Sequence, residues 1–330
     1  MQTPTIPNIH LEKDSLGAGQ AVSSVINGVT KLFETLASAI GTVYEPIRIK
    51  RLADAKAYEQ RVLADAKVYE IKALALAKSE AEAQNNSALS LTIESASKRI
   101  VAQEVKRQLN IDYIVTKAVE QIQTEKEVSD KPVDPDWTTR FINIAKDVSD
   151  SEMQDIWAQI LAGEVASPGQ YSYRTLECLK NLTKEEANMF ITASSLIMQI
   201  SDKKIIFRDN EILKKTGLTF VKWLRLVETG LLNAGGNTSL TVFKDSNEFL
   251  ILYANKVAIC RKINTDIDIP VYNMTSVGEQ LYKIVSKQYN EQYFMDVLKE
   301  IKKSVASVEY SNVIAVKGNN IRYSSHTTPI

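Results

Sequence analysis

The amino-acid sequence predicts a mainly α-helical protein with a smaller α+β part. Three observations favour this fold class: apolar residues spaced three or four apart near the N-terminus, an 11-residue repeat behind them, and four helix-start signals in one central stretch. They predict long N-terminal helices, a central helical bundle and a C-terminal winged-helix-like domain. The predicted segments are a flexible arm at 1–14, an amphipathic apolar helix at 15–48, a long alanine-rich helical region at 49–130, a helical core domain at 131–200 and the winged-helix-like α+β domain at 201–330.

The central stretch, Pro132–Ile197, is predicted to form four short helices, each with its own start signal. A short polar side chain at a helix start can accept a hydrogen bond from a first-turn N–H, and a glutamate three residues later completes a capping box. The four starts are Asp134 before Pro135, Ser149 with Glu152, Ser172, and Thr183 with Glu186. Two tryptophans and many branched side chains on the inner faces are enough for a small helical core.

The same stretch carries a family resemblance. The runs DWTTRF and SDSEMQDIWAQILAGEVASPGQYSYRTLECLKNLTKEEANMF resemble the core of a bacterial family known as domain of unknown function 2806. The helix that contains Trp157 is similar, more loosely, to one in the abortive-infection alpha family. The first family has no established activity, whereas the looser resemblance implies a role in phage defence.

Residues 15–44 carry apolar side chains three or four apart without a break, which predicts an amphipathic helix. Lys31 and Glu34 interrupt every apolar window long enough to span a bilayer, so a transmembrane helix is not expected. Four glycines lower the intrinsic helicity of this stretch, so the helix is expected to form against a partner, which is either a membrane surface along residues 15–45 or a protein surface. Protein packing is favoured, because the polar face is not rich in lysine.

Residues 50–83 contain the clearest internal repeat, in which LADAKAYE at 52–59 recurs as LADAKVYE at 63–70. An 11-residue period favours straight or right-handed helix pairing, and alanine lets helices approach closely. One such helix would bury little apolar surface, so the repeat predicts a homo-oligomeric coiled coil; a single solvated helix between domains is the alternative. The predicted assembly face consists of Leu52, Tyr58, Leu63, Tyr69 and Leu74. The helical pattern continues through residues 87–128, with a break expected at Asn110.

The C-terminal part has two helices and three strands in the order of a winged helix. The second helix, TFVKWLRLVETG, begins at Thr219, and the later run MTSVGEQL resembles the sequence that often closes such modules. The three predicted strands are 239–243, 248–253 and 257–261. If this domain binds nucleic acid, the helix would enter the groove with Lys222 and Arg225 as its contacts. Two basic residues are few for that role.

Seven acidic residues lie close together in the central stretch. Such a set can bind a divalent metal or a basic partner, or its members can complement the helix N-termini. The second interpretation is favoured because it explains four of them directly. The seven are Asp134, Asp136, Asp147, Asp150, Glu152, Asp155 and Glu164. Arg174, near the start of the third helix, can bind an anion or tie the preceding Pro-Gly loop to the acidic face, and the tie is favoured.

Composition argues against a conventional enzyme. The chain has 330 residues, 40 basic and 40 acidic, and its two histidines lie close to the two ends. The two cysteines, Cys178 and Cys260, are isolated, and no glycine-rich phosphate-binding run is present. No catalytic residue, metal site or cofactor is therefore predicted. A hydrolase that uses only carboxylates such as Asp147 and Glu164 is the least favoured hypothesis.

The favoured function is a non-enzymatic oligomeric scaffold or effector of bacterial origin. Its N-terminal helices would assemble or touch a membrane, and its C-terminal domain would sense or bind a partner. Few cysteines and no signal peptide predict a cytoplasmic protein, peripheral to the inner membrane if the N-terminal helix meets lipid. The alternative is a winged-helix nucleic-acid-binding regulator that the long helices dimerise.

Overall fold

The structure is a computed structural model of the chain. It describes residues 27–36, 87–122, 128–235, 238–244, 248–261, 265–317 and 320–330. The chain divides into two compact units, Met1–Tyr171, named the N-terminal unit, and Ser172–Ile330, named the C-terminal unit. The 11-residue repeat and its predicted assembly face lie outside the described residues.

The described part of the N-terminal unit is helical. Its elements are α1 (27–36), α2 (Ser87–Ile122), α3 (Pro135–Ala145) and α4 (Ser151–Ala166). α2 packs mainly along α4 and also contacts α3. Trp137 stacks on Phe141 with ring centroids 5.2 Å apart, and Trp157 meets Phe141 edge-on at 5.3 Å. These aromatic contacts hold α3 against α4.

α2 continues through Asn110, so the predicted helix break is wrong. Asparagine disfavours helix interiors because its side chain competes for the local backbone. Here the side-chain amide of Asn110 instead donates to the carbonyl of Lys146 at 2.8 Å and accepts from Gln154 at 3.1 Å. These tertiary bonds override the local preference. The later half of α2 is largely buried, whereas Leu91 and Ile100 in its earlier half are 69% and 52% exposed.

α1, the described part of the predicted amphipathic helix, packs within its own unit. Leu32 and Leu36 are fully buried. A β-carbon on Gly28 would lie 2.6 Å from the Cγ2 atom of Ile122, so glycine allows the close approach of these two segments. Among the described helices, none has the length and apolar character needed to cross a membrane.

The helix starts of the N-terminal unit follow the sequence signals with one exception. Asp134 caps α3 as predicted. α4 begins later than predicted, and Asp150 rather than Ser149 caps it by accepting from the backbone N–H of Met153 at 3.1 Å. This shift places Glu152 at the second helical position, one residue too early for a capping box.

The C-terminal unit combines helices with strands. Its described helices are α5 (Tyr173–Asn181), α6 (Lys184–Ser194), α7 (Asn210–Lys215), α8 (Phe220–Glu228), α9 (Ser276–Tyr282) and α10 (Glu291–Lys302). Its described strands are β1 (Met198–Ile200), β2 (Lys203–Phe207), β3 (Ser239–Val242), β4 (Glu248–Tyr253), β5 (Lys256–Arg261), β6 (Ile267–Asn273), β7 (Ser307–Lys317), β8 (Asn320–Tyr323) and β9 (Thr328–Pro329). Ser172 caps α5, and Thr183 with Glu186 forms the predicted capping box of α6.

The nine described strands form one antiparallel sheet in the order β3-β6-β2-β1-β4-β5-β7-β8, with β9 paired to β7. The fold class is therefore α+β, and the prediction of a mainly α protein is wrong. The expected wing is also wrong. β3 pairs with β6, and β4 pairs with β1 and β5, so β3 and β4 do not form a hairpin.

The cause of this error is that half of the strand pairings join segments that are distant in the sequence. Ile206 on β2 pairs with Tyr272 on β6, and Ile200 on β1 pairs with Ile251 on β4. An alternating pattern indicates a strand but does not indicate its partner. The short run Met198–Ile200 also follows α6 closely, so its apolar residues resemble a continuation of the helical pattern.

Candidate functional site

The C-terminal unit has a cleft where α7, α8 and β6 meet. It consists of two adjoining depressions of about 350 and 300 Å³. Both are lined by Asn210, Phe220, Trp223 and Tyr272. The larger depression adds the polar residues Arg208 and Asp209, and the smaller adds Glu211, Leu213, Lys214, Leu218, Thr219 and Val221. We name the two depressions together the aromatic cleft.

Phe220, Trp223 and Tyr272 form one wall of the cleft, which we name the aromatic shelf. The centroids of Trp223 and Tyr272 are 4.6 Å apart, and their rings are inclined by 24°. Phe220 lies 5.3 Å from Trp223 and is 59% exposed, whereas the other two rings are buried. Burial raises the pKa of Tyr272, and nearby Arg208 lowers it in part, so the phenol is neutral at pH 7. The shelf therefore presents an uncharged surface on which a planar group can stack.

Two N–H donors of the cleft residues have no acceptor among the residues that the structure describes. They are Nε of Arg208 and Nε1 of Trp223, and both atoms are buried. Neither group can itself accept a hydrogen bond. Because an unpaired buried donor costs about 1–3 kcal/mol, a ligand whose acceptor reaches one of these N–H groups gains part of that free energy on binding.

Local sequence signals bring these residues together. Asp209 caps α7, and the turn from α7 to α8 uses Gly217 at a φ of +84°, which glycine adopts without strain. The backbone N–H of Arg208 donates to the carbonyl of Pro270 on β6 at 2.9 Å. Since β6 also carries Tyr272, this bond holds Arg208 beside the shelf, with its guanidinium carbon 6.0 Å from the Tyr272 ring centroid.

The charged side chains of the cleft balance one another. Arg208 and Lys214 are cationic, and Asp209 and Glu211 are anionic. The Asp209 carboxylate is engaged as a helix cap, because it accepts from the backbone N–H groups of Glu211 and Ile212, each at 2.9 Å. The cleft thus suits a neutral flat group with hydrogen-bond acceptors on its edge.

Lys222 and Arg225, the predicted nucleic-acid contacts, lie on α8 beside the aromatic cleft and do not line it. Thr219 caps this helix as predicted. Lys222 is half-buried and precedes Trp223, whereas Arg225 is exposed and lies 3.8 Å from the carboxylate of Glu228. Their contact with nucleic acid stays a prediction.

Arg174 is exposed in the first turn of α5 and has no ion pair or hydrogen bond with the described residues. The 167–171 loop that it was expected to tie is held by Glu164 instead. The Glu164 carboxylate accepts from the backbone N–H of Gly169 at 2.6 Å and from that of Tyr171 at 2.9 Å. A buried carboxylate, and not a surface arginine, therefore orders the loop.

Two other acids of the central stretch, Asp147 and Asp155, have separate partners. Asp147 accepts from Arg107 at 2.7 Å, and Asp155 accepts from the hydroxyl of Tyr113 at 3.3 Å. No group of three or more potential metal ligands occurs in the part of the chain that the structure describes. Asp147 is exposed and ion-paired, whereas Glu164 is buried and bonded to backbone, so the two carboxylates considered for hydrolysis have different surroundings.

The sequence interpretation does not identify Arg208, Trp223 or Tyr272 as site residues. One signal in the sequence could have indicated the shelf. α8 has only nine residues but carries more apolar side chains than one buried face can hold. The surplus consists of Phe220, Val221 and Leu224, all of which are exposed. A group of exposed apolar residues on one helix is typical of a binding surface.

Comparison with known proteins identifies a family. The sequence model of the family described as Protein of unknown function (DUF2806) matches residues 94–298. This match confirms the resemblance noted in the sequence, whereas the looser similarity to the abortive-infection alpha family stays a prediction. No curated protein and no solved structure matches the chain.

Proposed function

Since the chain belongs to the DUF2806 family, whose function is unknown, we propose a function from the geometry of its own residues. The protein is a non-enzymatic oligomeric effector or scaffold whose C-terminal unit binds a planar ligand in the aromatic cleft. One observation carries the proposal: a stacked aromatic wall with an exposed outer ring lies beside two buried N–H donors that lack acceptors. Aromatic surfaces with a few directed polar groups are typical of ligand sites.

The chemistry of the lining supports recognition over catalysis. Asp209 already accepts two backbone N–H groups and is engaged as a helix cap. Arg208 is permanently charged and is therefore not suited to act as a general base. Stacking on the aromatic shelf and hydrogen-bond donation by Arg208 and Trp223 position a ligand without altering its bonds.

Ligand-observed NMR with planar heteroaromatic fragments such as indole, quinoline and purine tests this proposal. We expect saturation transfer from the full-length protein to several of these fragments. Phe220→Ala should weaken the transfer, because it removes the exposed ring of the shelf. Phe243→Ala is the matched control, since Phe243 is also an exposed aromatic residue and does not line the cleft. Equal transfer to wild type and Phe220→Ala would contradict the proposal.

Assembly is the second part of the proposal. Leu91 and Ile100 leave apolar surface exposed on α2, the helix that follows the predicted repeat in the sequence. Exposed apolar side chains on a helix favour packing against another copy of that helix. α2 also packs along α4, so the helix cannot be removed without opening the core of the N-terminal unit. Point substitutions on the predicted assembly face are therefore the suitable test.

Leu63→Glu combined with Leu74→Glu is expected to lower the mass of the particle in solution. The reason is that two carboxylates on a close-packed apolar seam would be buried without partners. Multi-angle light scattering of the full-length protein measures the mass. Ala64→Glu with Ala75→Glu is the control, because it adds the same two charges and helical spacing places these residues away from both the leucines and the tyrosines of the predicted assembly face. A wild-type protein that is already a monomer contradicts the assembly proposal.

A nucleic-acid-binding regulator is the second candidate function. It is favoured by the position of Lys222 and Arg225 on the same helix as two rings of the aromatic shelf. Basic side chains beside an aromatic platform are typical of proteins that bind single-stranded nucleic acid. A role in phage defence and contact of residues 15–45 with a membrane surface stay hypotheses.

A further inference from the structure

We infer that the planar group recognised in the aromatic cleft is a nucleobase, with guanine preferred. This inference rests on the proposed function, because it names the ligand class of the same cleft. The shared chemistry is a base ring, which either a free nucleotide or a single-stranded nucleic acid supplies.

The shape of the cleft favours a flat ring with one polar edge. The depression of about 300 Å³ includes the apolar side chains of Leu213, Leu218 and Val221. The adjoining depression of about 350 Å³ contains Arg208 and Asn210 instead. The aromatic shelf is shared by both. A base that stacks on the exposed ring of Phe220 can therefore place its ring against the apolar side chains of the smaller depression. Its polar edge can then face the depression that contains Arg208 and Asn210.

The hydrogen-bonding groups favour a base whose edge carries acceptors. Nε of Arg208 and Nε1 of Trp223 can only donate, and neither has an acceptor within the described residues. Guanine presents two neighbouring acceptors, O6 and N7, on one edge, and arginine is the side chain that most often reads them. Cytosine presents an amino donor on the corresponding edge. If the base meets Nε of Arg208 and Nε1 of Trp223 with this edge, the two donors favour guanine over cytosine.

The same residues argue against a cationic ligand. An aromatic wall can also bind a quaternary ammonium group through its ring faces. Here the Arg208 guanidinium carbon already lies 6.0 Å from the ring centroid of Tyr272. A second cation on this shelf would be repelled by that charge.

Charges at the rim provide a place for phosphate. Lys214 lines the smaller depression, and Lys222 lies on α8 next to Trp223. These lysines lie on the two short helices that flank the shelf, so a phosphate attached to a stacked base would be attracted by Lys214 and Lys222, against the opposing charge of Glu211 in the smaller depression. A single-stranded nucleic acid, which has several phosphates, would contact these lysines more extensively than a mononucleotide would.

Isothermal titration calorimetry of the full-length protein with GMP, and fluorescence anisotropy with a labelled single strand of about ten alternating guanine and thymine nucleotides, tests the inference. We expect binding of at least one of these probes, with GMP preferred over CMP. Phe220→Ala should weaken binding about tenfold, because base–aromatic stacking commonly contributes that much. Arg208→Lys should reduce the preference for GMP over CMP, because lysine keeps the charge but loses the fixed pair of donors.

The controls distinguish a free nucleotide from a single-stranded nucleic acid as the source of the base. They also distinguish failure of the nucleobase inference from failure of the planar-ligand proposal. Phe243→Ala should bind as wild type does. Single-strand binding that is tighter than GMP binding and is lost in Lys222→Glu indicates a nucleic acid, whereas equal affinity for GMP and the strand indicates a free nucleotide. Binding of planar fragments without binding of GMP or the strand overturns the nucleobase inference and leaves the planar-ligand proposal intact. Absence of both kinds of binding overturns both.

Discussion

Replacing Gly278 with alanine is expected to destabilise the C-terminal unit by about 3 kcal/mol, the upper end of the usual cost of overpacking. A β-carbon at this position would overlap with the carbonyl oxygen of Leu231 and would lie 3.3 Å from Cβ of Met274. Because the crowded atom belongs to the backbone, it cannot rotate away as a flexible side chain would. The expected result is a clearly lower unfolding temperature in differential scanning calorimetry.

Ser276→Ala is the control for this substitution, since Ser276 is exposed in the first turn of the same helix. Gly169→Ala provides a second comparison. The backbone of Gly169 has a φ of +88° but leaves open space around a β-carbon, so alanine there meets strain without a clash. Its cost should be about 1–2 kcal/mol. A Gly278→Ala protein that unfolds at the wild-type temperature would show that the contact with Leu231 does not hold α9 in place.

The crowding at Gly278 also bears on the aromatic cleft. Leu231 follows the helix that carries Trp223, and α9 begins just after the strand that carries Tyr272. The hydroxyl of Thr275, the cap of α9, donates to the carbonyl of Gly230 at 2.5 Å. This joint therefore fixes the end of α8 to the end of β6, and its disruption should also weaken ligand binding on the shelf.

The MTSVGEQL run illustrates what the sequence can and cannot predict. The pattern was associated with the end of a winged helix, and the structure has a different fold around it. Gly278 in this run nevertheless has a local explanation, because the carbonyl of Leu231 approaches it too closely for a β-carbon. The helix caps at Ser172, Thr183 and Asp209 were predictable for the same reason: a cap depends on residues two or three apart.

The sheet and the cleft were less predictable because they depend on contacts between distant segments. Trp223 and Tyr272 are far apart in sequence, and only the pairing of β6 with β2 brings the second ring beside Arg208. An arginine, a tryptophan and a tyrosine in separate segments give no joint pattern. The sequence indicated Lys222 and Arg225 because they share one short helix, and that helix is where the cleft lies.

Glu164 shows how a residue can be noticed in the sequence while its role stays hidden. It belongs to the seven acids of the central stretch, of which helix N-termini explain four, but it lies near the C-terminal end of α4, where the helix dipole disfavours a negative charge. Its side chain is almost completely buried. The carboxylate is retained there because the N–H groups of Gly169 and Tyr171 bond to it.

Glu164→Ala is expected to destabilise the N-terminal unit by about 3 kcal/mol, because two backbone N–H groups would lose their acceptors at about 1–3 kcal/mol each. The effect should extend to the aromatic core, since the carbonyl of Tyr171 accepts from the indole N–H of Trp137 at 2.8 Å. Chemical denaturation followed by tryptophan fluorescence measures the change. Glu164→Gln is the matched variant: it keeps one acceptor oxygen and should cost less than the alanine.

The same pair of proteins tests the ionisation of Glu164. Burial raises the pKa of this carboxyl above its ordinary value of 4.5, and the bonds from Gly169 and Tyr171 lower it only in part. Between 4.5 and the pKa of the folded state, the folded chain holds the proton while the unfolded chain releases it, so the contribution of Glu164 to stability falls as the pH rises through this window. Glu164→Gln cannot ionise and should lack this component. The stability of wild type relative to Glu164→Gln should therefore decrease from pH 4.5 upward and level off above the folded pKa, and an increase over the same range would mean that the backbone bonds outweigh burial.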